Sequence, residues 1–296
     1  MDIKEVAEGT FNFKTPVNGI SRILSVYVLR EIENVLLDPG PATAIPQVRE
    51  ALKQLGVSEL SYIIPTHIHI DHAGSIGELA TLFSEAKVVL HPSAVRHMVD
   101  PSRLIESTRM AFGEHFEESW GTILPVAESR MKVPSDGEIV TVGSRKLMFI
   151  YSPGHAPHHI AVFDEKTGGV FSGEALGVPR PGAESFPLPA VVPPSYDTET
   201  YLGSMKKLQA LKPRLIFYGH DGMGKEPDKL ISAAYENTLV FGDIVLKALK
   251  EGASDREAGE RIQQYISEHT GIHSEFTDRT MTVTAYTQYF KKKGLI

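Results

Sequence analysis

The segment that most narrows what this chain can fold into is Thr66-His67-Ile68-His69-Ile70-Asp71-His72. It continues directly from Leu60–Pro65, a short apolar run that reads as a buried strand. Imidazole and carboxylate are the ligands that a borderline divalent ion takes. In an extended turn after a strand, His67 and His69 can point to the same side, because side chains two apart share a face. Asp71 and His72 follow the bend and can face a second ion. One short loop can thus serve two metals. The bland alternative is a solvated histidine-rich turn.

The flanking pattern is that of an α/β domain. Strand-like segments at Ile20–Arg30 and Asn34–Leu37 precede a helical pattern at Ala44–Leu55, with Gly56 as its stop. A helix is expected over Gly74–Phe83 and a buried strand over Lys87–Leu90. Residues 92–130 are charged and read as a helical insertion, in pieces at Pro92–Val99 and Arg103–Glu118. Strands return at Ile139–Val142 and Lys146–Tyr151, and His159–Phe163 with Gly169–Ser172 reads as a hairpin. Val178–Pro194 holds six of the 19 prolines, which makes it a loop rather than a central strand or helix interior. A helix is expected over Asp197–Leu211, a strand over Arg214–Tyr218, and three helical segments (about 227–250, 254–269 and 276–292) after that.

Further ligand-type residues sit where strands end: Asp38, His155, Glu174 and His220. Any one of them alone reads as an ordinary surface or hydrogen-bonded residue. Their shared position lets them converge on one rim of a sheet, the arrangement an active site needs.

The order Asp38, His67-x-His69-x-Asp71-His72, His155, an acid at 174 and His220 resembles the metallo-β-lactamase superfamily, over roughly residues 15–225. The resemblance implies a four-layer αβ/βα sandwich with a helical insertion and C-terminal helices. Residues 1–225 would form the core and 226–296 a helical extension packed on it. It implies one metal held by His67, His69 and His155, and a second held by Asp71, His72 and His220, with Glu174 at the bridging position. Asp38 would orient a ligand histidine. His159 matches a structural hydrogen-bonder of the hydroxyacylglutathione-hydrolase-like branch, and His158 is assigned to the surface. The bridging residue is usually Asp, so Glu174 is a departure that bears on the second metal. His rather than an acid at 69 leans away from the flavodiiron branch, and no length remains for a flavodoxin domain.

Composition removes competing chemistries. The chain has no cysteine, which excludes disulfides, thiolate zinc, iron–sulfur clusters and a cysteine nucleophile. A net charge of -7 argues against nucleic acid as the main partner. There is no signal-peptide pattern and no apolar run of membrane-spanning length, so a cytoplasmic protein is expected. Gly219-x-x-x-x-Gly224-Lys225 nearly matches a phosphate-binding loop, but Glu226 stands where Ser or Thr belongs. Ser75 in Ala73-Gly74-Ser75-Ile76-Gly77 lies too far from its strand for a nucleophile elbow. His91, His97 and His115 read as surface or packing residues, the latter two able to face a pocket from above, while His269 and His273 receive no role.

The expected function is metal-dependent hydrolysis of an ester, thioester, lactone or phosphoester in a small molecule. A metal-bound hydroxide attacks, and Asp71 ligates and serves proton transfer. The cofactors are two divalent ions, zinc first, with iron or manganese as alternatives. A di-iron redox or oxygen-handling protein, or a metal-containing ligand-binding or regulatory protein with little turnover, are the alternatives. Phe186, Leu188, Val191, Val192 and Tyr196 either line an apolar acyl pocket or pack their own loop down. The C-terminal helices either cover the core or join two copies as a homodimer.

Overall fold

The computed structural model describes residues 1–16, 23–113, 116–273 and 279–296. His115 lies outside the described residues, as do the parts of the expected strand 20–30 and helices 103–118 and 276–292 that fall on 17–22, 114–115 and 274–278. The chain forms two compact units. The first comprises Met1–Tyr151, His158–Gly173 and Arg214–Met223, and the second Ser152–Pro157, Glu174–Pro213 and Gly224–Ile296.

The first unit opens with a hairpin that hydropathy does not announce, β1 (Lys4–Ala7) and β2 (Thr10–Pro16). The expected strand follows as β3 (Ile23–Leu29), antiparallel to β2. Next come β4 (Val35–Leu37), α1 (Ile45–Gln54), β5 (Tyr62–Ile64), α2 (Ile70–Ala73), α3 (Ile76–Leu82) and β6 (Lys87–Val89). Pro46 in the first turn starts α1, and Gly56 at φ +68° ends it, the left-handed position glycine fills without strain. The insertion holds α4 (Val95–Val99), α5 (Ser102–Phe112) and α6 (Phe116–Trp120), so the single helix expected over 103–118 is interrupted at Gly113, φ +73°. A two-residue β7 (Met131–Lys132) closes a seven-stranded sheet in sequence order, with β4 through β7 parallel. The second sheet is built from β8 (Ile139–Val142), β9 (Arg145–Tyr151), β10 (Ile160–Asp164), β11 (Gly169–Gly173), β12 (Leu215–Tyr218) and the short edge β13 (Met223–Gly224).

Alternation along the strands gives the first sheet two buried faces. Val26, Val28, Leu36, Ile63 and Val88 meet Val48 and Leu52 of α1 and Ile76 and Leu79 of α3. On the other face Tyr27, Leu29, Val35, Leu37, Ile64 and Val89 meet Leu147, Phe149, Val162, Phe171 and Phe217 of the second sheet. Each such aliphatic side chain removed from water contributes about 1.5–3 kcal/mol. Within this unit Arg145, fully buried, pairs with Asp164, also fully buried, and with Glu31.

The second unit gathers α7 (Thr198–Ala210), α8 (Pro227–Lys250), α9 (Asp255–Thr270) and α10 (Thr280–Lys293) with the His155 loop and the proline-rich loop. Asp197 caps α7 by accepting from Thr200 N at 3.0 Å. Ser254 and Glu257 cap α9 reciprocally. Asn237 of α8 donates to the Pro187 carbonyl at 2.9 Å and pins the proline-rich loop. Leu188, Val191 and Tyr196 are buried, and the Phe186 ring lies 6.0 Å from both Tyr265 and His269. Of the two readings of those apolar residues, packing of the loop is the one these contacts support.

Candidate metal centre

The extended stretch 66–70 sorts its side chains by alternation. Ile68 and Ile70 turn into the core of the first unit, which sends His67 and His69 the other way. The His67 and His69 rings meet edge to face at 4.5 Å, with His67 Nε2 2.9 Å from His69 Nδ1. His69 then stands at the N-cap position of α2, and one turn of helix presents Asp71 and His72. His220 follows β12, and its loop is held by backbone bonds from Ser25 N to the Gly219 carbonyl (2.9 Å) and from Asp221 N to the Ile23 carbonyl (2.9 Å).

This brings Asp71, His72 and His220 together. One ligand atom from each lies within 4.8 Å of the others. Asp71 Oδ2 is 3.3 Å from His220 Nε2 and 3.6 Å from His72 Nε2. His72 is fully buried and His220 nearly so, while Asp71 keeps some exposure. Gly219 is glycine because an added Cβ would lie 2.6 Å from His72 Cε1.

Asp38 orders this group from beneath. It leaves β4 at φ +45°, a left-handed conformation that Asp tolerates better than most residues. Its Oδ1 accepts from Thr66 N at 2.6 Å and its Oδ2 from Thr66 Oγ1 at 3.0 Å. His72 Nδ1 lies 3.2 Å from the same Oδ2. A carboxylate only accepts, so the Thr66 hydroxyl proton points at Asp38 and its oxygen is left to accept from His67 Nδ1, 3.1 Å away. Both imidazoles therefore favour the proton on Nδ1, leaving the Nε2 lone pair for a ligand. His159, fully buried, stacks on His67 with ring centres 5.0 Å apart. His158 is half-buried rather than on the open surface, and its Nδ1 accepts from Ile68 N at 3.4 Å.

The second unit holds His155 and Glu174 as a pair, with His155 Nε2 2.9 Å from Glu174 Oε2. His155 Nδ1 is 2.8 Å from the Ala190 carbonyl oxygen, which can only accept, so Nδ1 carries the proton. In neutral His155 the Nε2 lone pair then faces a carboxylate oxygen. Two acceptors at that distance call for a cation between them, a proton or a metal. Oxygen and nitrogen donors with their outer nitrogens already engaged fit a divalent ion.

Sequence reading missed Thr66, the Ala190 carbonyl and His158 as parts of this arrangement. Thr66, beside the first histidine, had a local signal; a backbone carbonyl has none. His91 and His97 stand apart in the insertion, His91 accepting from Ser93 N and His97 meeting Arg96. Glu226 adopts φ +60° ahead of Pro227 and starts α8, which accounts for the phosphate-loop-like residues before it.

A His/Asp/Glu metal-binding cluster on an α/β sandwich defines a class of protein, and comparison with known proteins assigns it. The family model of the metallo-beta-lactamase superfamily matches residues 21–220. This chain belongs to the metallo-beta-lactamase superfamily. It is 27% identical over 205 residues to the metallo-beta-lactamase fold-containing protein ST1585 of Sulfurisphaera tokodaii, covering 68% of this chain and 74% of that one. It is 27% identical over 250 residues to the probable metallo-hydrolase YflN of Bacillus subtilis, covering 74% and 89%. The crystal structure of the metallo-beta-lactamase family protein TTHA1429 from Thermus thermophilus superposes with a TM-score of 0.73 at 21% identity, covering 98% of this chain and 95% of that one. The expected fold, the metallo-β-lactamase sandwich with C-terminal helices, is the fold of the chain. Matches that span under half of their partners' length include an atrochrysone carboxyl ACP thioesterase and a coenzyme F420H(2) oxidase. Among the described residues no helix is long and apolar enough to cross a membrane.

Proposed function

We propose that this chain is a metal-dependent hydrolase that cleaves an ester, thioester, lactone or phosphoester bond in a small molecule. The observation that carries the reading is the common polarity of the histidines. His67, His72 and His155 each turn Nδ1 to an oxygen atom, which leaves Nε2 for a ligand. In this reading, as the resemblance implies, His67, His69 and His155 hold one divalent ion, Asp71, His72 and His220 hold a second, and Glu174 stands at the bridging position. Bound divalent ions, zinc first, supply Lewis acidity, which lowers the pKa of a water and polarises a substrate oxygen. The chain's own residues then do the rest. Asp38 and Thr66 set the imidazole tautomers. Asp71, the more exposed member of its trio, is the group placed to pass a proton to the departing oxygen or sulfur. Glu174 reaches one methylene further than the usual bridging Asp, and His155 is the partner its carboxylate meets.

Metallo-hydrolases and a thioesterase among the relatives support this reading. The test is metal analysis of the full chain with turnover on an ester, a thioester, a lactone and a phosphodiester. Turnover on at least one should vanish with a chelator and return with zinc or manganese. Full hydrolysis by the metal-stripped protein refutes the proposal. Visible absorption with iron as the main ion and no hydrolysis favours the di-iron redox alternative.

A further inference from the structure

Tyr201 lies outside the ligand set, on α7, with no exposure to solvent. Its ring packs edge to face with Tyr196 at 5.7 Å. Its hydroxyl donates to the Glu174 carbonyl at 2.8 Å and accepts from Gly177 N at 3.0 Å and from Ala190 N at 3.3 Å. A phenol offers one donor and two lone pairs, so this hydroxyl is saturated. Burial pushes its pKa well up, and the proton it donates stays in place.

The two segments tied by this hydroxyl are those that carry the His155–Glu174 pair. Glu174 is bound at its own carbonyl. Ala190 is bound at its N–H, while its carbonyl takes His155 Nδ1 at 2.8 Å. The same helix holds the histidine loop from behind. Asp197 N donates to the Gly154 carbonyl at 3.0 Å, and Ser204 Oγ donates to the Pro153 carbonyl at 2.6 Å. Gly154, at φ +126°, has no room for a Cβ because the Tyr201 backbone occupies that space.

We infer that Tyr201 is a positioning residue, whose hydroxyl sets the separation and aim of the His155 imidazole and the Glu174 carboxylate toward a divalent ion. The inference rests on the reading of that pair as metal ligands. Packing alone would require the ring and not the oxygen. The hydroxyl instead joins the carbonyl of one ligand residue to the N–H of the residue whose carbonyl meets the other.

The test compares Tyr201→Phe with Tyr196→Phe in the full chain, each losing one hydroxyl from the same buried cluster. Both are titrated with Co2+ and followed by the visible ligand-field bands. Tyr201→Phe should bind Co2+ about 10-fold or more weakly, with altered band positions, the scale seen when groups behind metal ligands are removed. Tyr196→Phe should match the wild type. A folded Tyr201→Phe protein with wild-type affinity and spectrum overturns the inference, as does an equal loss in Tyr196→Phe. Failure of the wild type itself to take up Co2+ would instead sink the ligand reading beneath it. A second measurement needs no variant. Coupling is reciprocal, so Zn2+ must stabilise the hub. Amide exchange at Gly177 and Ala190 should slow when Zn2+ is added to the wild type, and unchanged exchange in zinc-loaded protein overturns the inference.

Discussion

Replacing Asp38 by Asn changes one oxygen for an NH2 group and should disturb two histidines at once. The side chain is 3 % exposed, so water cannot repair the change. Asn can keep the acceptor for Thr66 N, the 2.6 Å bond. At the other position a donor now faces Thr66 Oγ1 and His72 Nδ1, which stood 3.0 and 3.2 Å from a carboxylate oxygen. The Thr66 hydroxyl must then accept from Asn and turn its proton toward His67 Nδ1. Both imidazoles are driven toward the tautomer with the proton on Nε2, the atom needed for a ligand. The folding cost is the difference between bonds to a charged and to a neutral acceptor, about 1–1.5 kcal/mol. For a domain of this size that lowers the melting temperature of chelated protein by roughly 2–6 °C. The cost to metal affinity is larger, on the order of 10–100-fold, or about 1.4–2.8 kcal/mol. Competition titration against a chromophoric chelator measures the second quantity, and thermal unfolding in excess chelator the first. An Asp38→Asn protein that binds zinc or cobalt as tightly as the wild type refutes the tautomer argument.

Three other perturbations test separate parts of the molecule. Gly219→Ala puts a Cβ 2.6 Å from His72 Cε1, so the ring must move; metal stoichiometry should fall, and unchanged stoichiometry by mass spectrometry of the native protein would show that the close approach is dispensable. Arg145→Met leaves the fully buried Asp164 with Thr167 Oγ1 and Lys166 N as partners but without its guanidinium; denaturant unfolding should show a loss of about 3–5 kcal/mol, and a loss below about 1 kcal/mol would mean the pair is dispensable. Burial alone would raise the Glu31 pKa, but hydrogen bonds from Lys166 and Ser144, with the charge of Arg145, hold it below the ordinary value. Its stabilising contribution is therefore complete above the usual glutamate range and disappears as pH falls through the lowered value. Glu31→Gln should flatten the acid side of the stability profile between about pH 5 and pH 3, and parallel profiles would contradict that.

Much of the metal-binding cluster was legible because it is local. The His67–His72 turn needs only the spacing of a strand end and one helical turn, and strand ends could be read from apolar runs such as Arg214–Tyr218. The N-terminal hairpin was not legible. Lys4–Ala7 is too short to show a period, with two exposed charged residues before two part-buried apolar ones, and Thr10–Pro16 is placed by its pairing with β3. The insertion helix read as one piece because periodicity runs through Gly113, whose left-handed backbone ends the helix. His158 looked like a surface residue because nothing nearby in sequence reveals the Ile68 amide it meets.

By itself the sequence determined which residues are of ligand type, their order along the chain and the elements that end at them, because each depends on contacts within a few residues. Tertiary structure alone decided which ring nitrogen of His67, His72 and His155 faces an oxygen atom. Those choices are made by Asp38 acting across to Thr66 and His72 and by the Ala190 carbonyl on His155. Asp38 meets Thr66, and His155 meets Ala190, through hydrogen bonds, and Asp38 meets His72 through a close approach of 3.2 Å; all join residues distant in sequence and depend on direction and distance that no residue pattern encodes.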